Sequence, residues 1–232
     1  MVAMIKQVPW RLLVPILWVI ALYFSFLYAP NDAILGASQR IFYIHIGAAW
    51  AAFLALTVNV TLSILYLWKR KLSYDRWAST SVQLGIFFTT IVLITGTIWG
   101  KVAWGVWWTW DPRLTTTVIM WFVYILYLVI RSGMDDREKR ARIGAIYSLI
   151  AFLDVPLVFM SIRWWRSIHP VMITLTSINM VPQMIVAMVA FFLAYTALYV
   201  DWLTHRVMQL RIADEIDAMR EEMRRFHAKE EG

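Results

Sequence analysis

Cysteine is absent from this chain of 232 residues, so neither a disulfide nor a thiolate–metal site can form. Charge is scarce as well. Asp, Glu, Lys and Arg make up 16% of the residues, against roughly 25% in an ordinary soluble domain. That scarcity excludes a soluble globular protein, and the length leaves no room for a large second domain. Histidine occurs only four times, which restricts any imidazole site to a short set of candidates. The net charge of +7 does not indicate nucleic acid, because the basic residues stand in short clusters between apolar runs. No low-complexity segment or internal repeat appears.

Apolar side chains fill the chain instead: 61% of residues are hydrophobic and the mean hydropathy is +0.62. Apolar runs of spanning length predict an all-α integral membrane protein with six transmembrane helices, at about 12–29, 42–68, 80–99, 114–130, 143–162 and 183–203. Lys6 and Arg11 before an apolar run imitate a signal peptide. The run is long and no small-x-small site closes it, so a retained first helix is expected. Lys and Arg set the orientation. With the N-terminus inside, the inner segments and the tail carry 17 of the 22 basic residues, and the outer segments carry Arg40, Lys101, Arg113, Arg163 and Arg166. Both termini are therefore predicted to be cytoplasmic.

Three segments then share the outer face: 30–45, 99–115 and 163–182. His45 and His169 fall there, whereas His205 and His227 fall on the inner side. The membrane domain is expected over 1–204 and an amphipathic helical tail over 205–232. In that tail Ile212, Ile216, Met219, Met223 and Phe226 recur at helical spacing among Arg and Glu. It is expected to lie on the inner membrane surface or against a soluble partner.

The outer face is dominated by residues 99–115, WGKVAWGVWWTWDPRLT. They contain Trp99, Trp104, Trp107, Trp108 and Trp110, five of the 14 tryptophans. Asp111-Pro112 is a helix-start signal, so the stretch reads as an aromatic loop or short interfacial helix leading into a new helix. If residues 100 to 111 are helical, Gly100, Trp104, Trp107, Trp108 and Asp111 share one face. An interfacial aromatic belt accounts for Trp10, Trp18, Trp68, Trp77 and Trp202. It does not require five tryptophans within twelve residues, interleaved with Gly96, Gly100 and Gly105. Aromatic pairs contribute about 0.5–1.5 kcal/mol beyond burial, and glycine permits close backbone approach. A flat apolar ligand therefore suits the stretch better than a belt.

Two imidazoles at one membrane depth can hold a haem iron from both faces, bind another metal, or serve as hydrogen-bond groups. A third zinc ligand is not evident; Asp111 looks like a helix cap. Without a CxxCH stretch, covalent haem attachment is excluded. Arg113, Arg163 and Arg166 are candidates to meet carboxylates of such a ring, the alternative being that they snorkel to lipid phosphates. Asp154 stands in the fifth predicted span, two residues before Pro156. An ionisable group at that depth is a functional candidate, and Asn59, Gln83 or a freed carbonyl are its possible partners.

Trp104-Gly105-x-x-Trp108-x-Trp110-Asp111, followed by Arg113-Leu114-Thr115, resembles the tryptophan-rich "WWD" signature of haem handling proteins. Trp99-Gly100-Lys101 before it and Trp164-Trp165-x-x-x-His169 after it also fit. Among these proteins the chain most resembles the CcmC (haem exporter protein C) family of cytochrome c maturation, up to about residue 204.

The resemblance implies a six-span bundle in the bacterial cytoplasmic (inner) membrane with a periplasmic WWD loop. It implies haem b bound transiently against that loop, with His45 and His169 as axial ligands. It also implies a complex with the ABC-type subunits CcmA and CcmB and the small CcmD, and delivery to the haem chaperone CcmE. The role would be delivery and not enzymatic. Longer relatives of the CcmF and CcsA type carry additional haem histidines, so four histidines fit delivery and not ligation to an apocytochrome. The alternative reading is a subunit that transports haem or another substrate across the bilayer, with Asn59, Gln83 and Asp154 as its midplane polar groups.

Overall fold

The computed structural model describes residues 8–169 and 180–230, with side chains for 12–169 and 180–227. Lys6 lies outside the described residues, as do the side chains of Trp10 and Arg11 and residues 170–179 of the third outer segment. Among the described residues the chain is helical almost throughout. In order come α1 (Val8–Tyr23), α2 (Arg40–Lys69), α3 (Leu72–Trp104), α4 (Pro112–Ser132), α5 (Arg137–Ala151), α6 (Asp154–Trp164) and α7 (Pro182–Glu230).

Five helical stretches are long and apolar enough to cross a membrane: Ala37–Lys69, Leu72–Trp104, Pro112–Ser132, Arg137–Trp164 and Pro182–His227. The first predicted span appears as α1 and a π-helical turn at Phe24–Tyr28, a shorter apolar helix of Leu12–Tyr28. The protein is thus an all-helical, multi-pass membrane protein.

The packing is that of a membrane bundle. On α4, Tyr124 and Tyr127 are buried while Phe122, Leu126 and Val129 are exposed. Lipid is as apolar as these outward side chains, so burial there sorts by shape and hydrogen bonding rather than by polarity. Small residues line the main interface of α2: Ala48, Ala51, Ala52 and Ala55 are buried against α3 and α7, beside Phe88, Phe191 and Tyr195. α1 closes this core by setting Trp18 edge-on to Tyr195 at 4.9 Å. A second core joins Leu56, Val82, Met120, Tyr124, Val155 and Val158.

The fifth predicted span is two helices. Pro156 has no N–H, and its ring collides with the carbonyl four residues earlier. The chain answers at Phe152-Leu153 with tighter bonds, Leu153 N to Ile150 O at 3.1 Å and Val155 N to Phe152 O at 3.1 Å. Asp154 therefore opens α6. Its Oδ2 is buried with no hydrogen-bond partner among the described residues, and it lies within electrostatic range of Tyr124. The partners considered for it do not bond to it: Asn59 donates to Ala78 O at 3.1 Å, and Gln83 lines a cavity with His205.

One end of the bundle is tied by ion pairs. Arg131 grips Asp75 through two bonds of 2.7 and 2.9 Å. Asp214 takes Arg76 at 2.5 Å and Arg137 at 3.3 Å. The opposite end carries the tryptophan stretch. The tail is not a separate element, because α7 runs unbroken through residues 204–205, and Asp214 fastens its middle to the bundle.

Candidate functional site

The helix α3 does not continue to Asp111. It stops at Trp104 because Gly105 adopts φ +77°, a left-handed conformation that L side chains resist. Gly105 N bonds back to Lys101 O at 3.1 Å, and Lys101 Nζ covers Gly105 O at 2.8 Å. Trp107, Trp108 and Asp111 therefore leave the helix, and the single aromatic face conditional on a helix over 100–111 does not form.

The chain re-enters helix at Pro112, as the Asp-Pro signal predicts. Asp111 Oδ1 accepts from Arg113 N at 3.0 Å. The same carboxylate does more than cap. Its Oδ2 accepts from Ile168 N at 2.9 Å, fifty-seven residues away. Asp111, only 7% exposed, thus ties the tryptophan loop to the segment that carries His169.

The aromatic rings form two groups and not one flat shelf. Trp99 and Trp104 meet edge-on at 5.2 Å, and the His169 ring lies 6.3 and 6.1 Å from them. This is a half-buried corner. Trp107, Trp110, Trp164 and Trp165 form an exposed rim, Trp110 being 77% and Trp164 64% accessible. Within the rim region Trp108 meets Trp110 edge-on at 5.8 Å and Trp164 meets Trp165 at 6.0 Å. Edge-on contacts are the ordinary preference of indole quadrupoles, which is why a run of tryptophans does not lie flat on itself.

His45 reaches the same helix from α2. Its Nδ1 is 3.1 Å from Thr95 Oγ1. Thr95 spends its own proton on Ile91 O at 2.6 Å, so its hydroxyl oxygen accepts and His45 Nδ1–H donates. In the tautomer with the proton on Nδ1, Nε2 carries the lone pair that a metal-binding imidazole needs. Gly96 makes room for the ring: a Cβ there would stand 3.0 Å from His45 Cε1. His45 thus touches α3 at residues 95 and 96, and His169 touches it at 99 and 104. Residues 95 and 99 are about 6 Å apart along a helix axis. The two histidines lean on neighbouring turns of one helix. We expect Gly96→Leu to displace the His45 ring while leaving membrane insertion and helix content unchanged, read as loss of any signal from that imidazole beside a normal far-UV spectrum.

Several buried polar atoms here have no partner among the described residues. Trp99 Nε1, Arg113 Nε, Thr109 Oγ1 and Thr115 Oγ1 are all of this kind. An unsatisfied buried donor costs about 1–3 kcal/mol, so a cluster of them fits a site shaped for an acceptor brought from outside. Arg113 also lies within electrostatic range of His45, Asp111 and Arg163.

The other outer cations divide. Arg40 is used structurally, donating to Ser25 O at 3.3 Å and Phe26 O at 3.2 Å. Lys101 caps α3 and sits over Trp107 at 5.9 Å. Arg166 lines an open cavity of about 440 Å³ with Trp110, Asp111 and Ile168, next to the corner but not including either histidine. Among the described residues no group of three His, Asp or Glu could hold a metal ion. Thr95 escaped the reading of the sequence. Its only signal is that it stands one helical turn before Trp99, which cannot be told from a lipid-facing threonine without knowing what faces it.

Fold and site together define a multi-pass helical membrane protein with a tryptophan-rich histidine site at one end. More specifically, the chain belongs to the heme exporter protein C family, whose model matches residues 2–223. The match extends past residue 204 into most of the charged tail. A heme exporter protein C of Escherichia coli K12 is 34% identical over 146 residues, covering 62% of this chain and 59% of the relative. That of Bradyrhizobium diazoefficiens is 30% identical over 205 residues, 85% of this chain and 77% of the relative. A putative cytochrome c biosynthesis ccmC-like mitochondrial protein of Marchantia polymorpha is 32% identical over 149 residues, 64% of this chain and 63% of its own length. The chain thus spans about 60% of the length of the liverwort and E. coli relatives.

Proposed function

We propose that this protein holds haem b as cargo at the tryptophan-rich end of its bundle and hands it to an acceptor during cytochrome c maturation. The orientation follows the Lys and Arg asymmetry: six spans, both termini cytoplasmic, the site at the periplasmic surface of the bacterial inner membrane. The observation that carries the reading is that His45, from α2, and His169, from the segment after α6, rest against adjoining turns of α3, at Thr95 and at Trp99.

In this reading His45 and His169 bind the iron as axial ligands. Trp99 and Trp104 flank the ring, and Trp108 with Asp111 holds the loop in place. The acceptor-seeking donors of Arg113 and Trp99, with Arg163 and Arg166 nearby, meet the propionates, for which guanidinium is well matched. The exposed rim of Trp107, Trp110, Trp164 and Trp165 is a docking surface for the acceptor. Release requires one Fe–N bond to open, and His169 is the natural one, since it sits on a segment between helices and not on a helix as His45 does. The heme exporter names of the relatives, and the cytochrome c biosynthesis name of the liverwort protein, agree with haem as cargo. The resemblance of the tryptophan signature to the haem handling proteins makes the chaperone CcmE the acceptor in this reading, with CcmA, CcmB and CcmD as neighbours. The role is delivery.

The test is an absorbance spectrum of the purified chain, as isolated and after titration with haem. Low-spin bands, with haem bound near one per chain, are expected. A chain that neither retains nor takes up haem in detergent or in nanodiscs would overturn the proposal.

A further inference from the structure

The cytoplasmic half of α7 carries a feature that haem handling does not use. Ile212, Ile216, Met219, Met223 and Phe226 are all exposed, Phe226 at 61%. Their spacing of four, three, four and three residues is that of a heptad seam, not merely of an amphipathic surface helix. Reading Ile216 and Met223 as a positions makes Ile212, Met219 and Phe226 d positions.

This seam faces away from the chain's own bundle. Asp214, two residues from both Ile212 and Ile216 and so about 200° around the helix from each, is the residue held by Arg76 and Arg137. At that level the outer surface of the helix is therefore the apolar one. Past it the seam residues Met219, Met223 and Phe226 stay more than half exposed among the described residues.

We propose that the seam pairs with the same seam of a second copy of this chain, as a short parallel two-stranded coiled coil at the inner end of the bundle. Charge pattern selects that occupant. In the heptad register Glu215 and Glu222 are g positions, and Arg220 and His227 are e positions. In a parallel pair, g of one helix faces e of the next heptad in its partner. Glu215 then faces Arg220 and Glu222 faces His227. In an antiparallel pair g faces g and e faces e, which sets glutamates against glutamates.

Copies inserted in one membrane run in the same direction, so parallel pairing is also the geometry the bilayer imposes. Two heptads make a seam of about 20 Å, weak between free helices. Confinement of both copies to one membrane raises their effective concentration and offsets that. Charges on and beside the flanks of the seam are already paired within the helix, Arg211 with Glu215 at 2.9 Å, Arg220 with Asp217 at 3.4 Å and Arg225 with Glu221. Such exposed pairs contribute only about 0.3–0.5 kcal/mol each, so they exchange readily for contacts between chains. The proposal does not depend on haem being the cargo.

Because the chain lacks cysteine, single cysteines report pairing without background. In membranes containing the full-length protein, mild oxidation is expected to cross-link Ile216→Cys, Met219→Cys and Met223→Cys to covalent dimers, and to leave Glu221→Cys, on the opposite face, monomeric. Glu215→Arg in the Met219→Cys background should lose the dimer band, and Glu215→Arg with Arg220→Glu should restore it. Equal cross-linking at Glu221 and Met219 would overturn the proposal. So would absence of dimer at all three seam positions, including the case in which those cysteines are shielded from a water-soluble thiol reagent, which would place the seam on lipid. A reversed-charge pair that fails to restore the band would rule out the parallel register.

Discussion

His45→Ala and His169→Ala are each expected to abolish the low-spin haem spectrum of the purified protein and to stop transfer to the acceptor. Each removes one of the two nitrogens proposed for the iron. No other imidazole or thiolate stands ready to replace it: cysteine is absent, and the other two histidines, His205 and His227, lie on the later part of α7. The two variants should differ in kind. His45 is held by Thr95 and Gly96 on a helix, so alanine leaves a shaped space that added imidazole can fill, restoring the low-spin bands. His169 sits on an irregular segment tied through Ile168, and rescue there should be poorer. His205→Ala is the control, since that residue pairs with Asp201 at 3.3 Å in the middle of α7, away from the site. Wild-type spectra and normal transfer in both variants would contradict the ligand assignment.

Asp111→Ala should come close to His169→Ala in loss of bound haem, although Asp111 is not a ligand. As a simple helix cap its removal would cost about 1 kcal/mol and leave the site intact. The geometry says otherwise. One oxygen caps α4 through Arg113 N and the other holds Ile168 N, the residue next to His169. Alanine leaves that half-buried N–H without its acceptor, a further cost toward the lower end of about 1–3 kcal/mol. It also releases the segment that positions the imidazole. An energetic loss of about 1.4 kcal/mol is already tenfold in an equilibrium, so haem retention should fall by at least about that factor. Asp111→Asn keeps one acceptor oxygen and should fall between wild type and alanine.

Asp136→Ala separates the two roles. Asp136 caps α5 in the same way, through Lys139 N at 2.5 Å, but holds nothing else at the haem end. It should lower thermal stability without lowering haem occupancy. Equal occupancy in Asp111→Ala and wild type would reduce Asp111 to a cap.

The apolar runs, the Asp-Pro helix start and the seam in the tail are local patterns, and each was legible in the residues. So was the approach of His45, His169 and the tryptophans to one surface, because span counting sends alternate loops to the same side. The break of the fifth span was foreshadowed by Pro156, yet its position is visible only in the bonds around Phe152. The flat aromatic shelf was not legible, because ring orientation depends on neighbours such as His169 and not on the order of tryptophans.

By itself the sequence determined that this is a helical membrane protein with a tryptophan-rich, histidine-bearing end, since hydropathy and capping act over short stretches of chain. Only the tertiary structure decided that the His45 ring meets Thr95 of α3, that Asp111 spans two segments, and that the buried donors of Trp99 and Arg113 meet no acceptor among the described residues. Those facts arise from contacts between residues 45 and 95 and between 111 and 168, separations at which no local pattern specifies what a side chain will face.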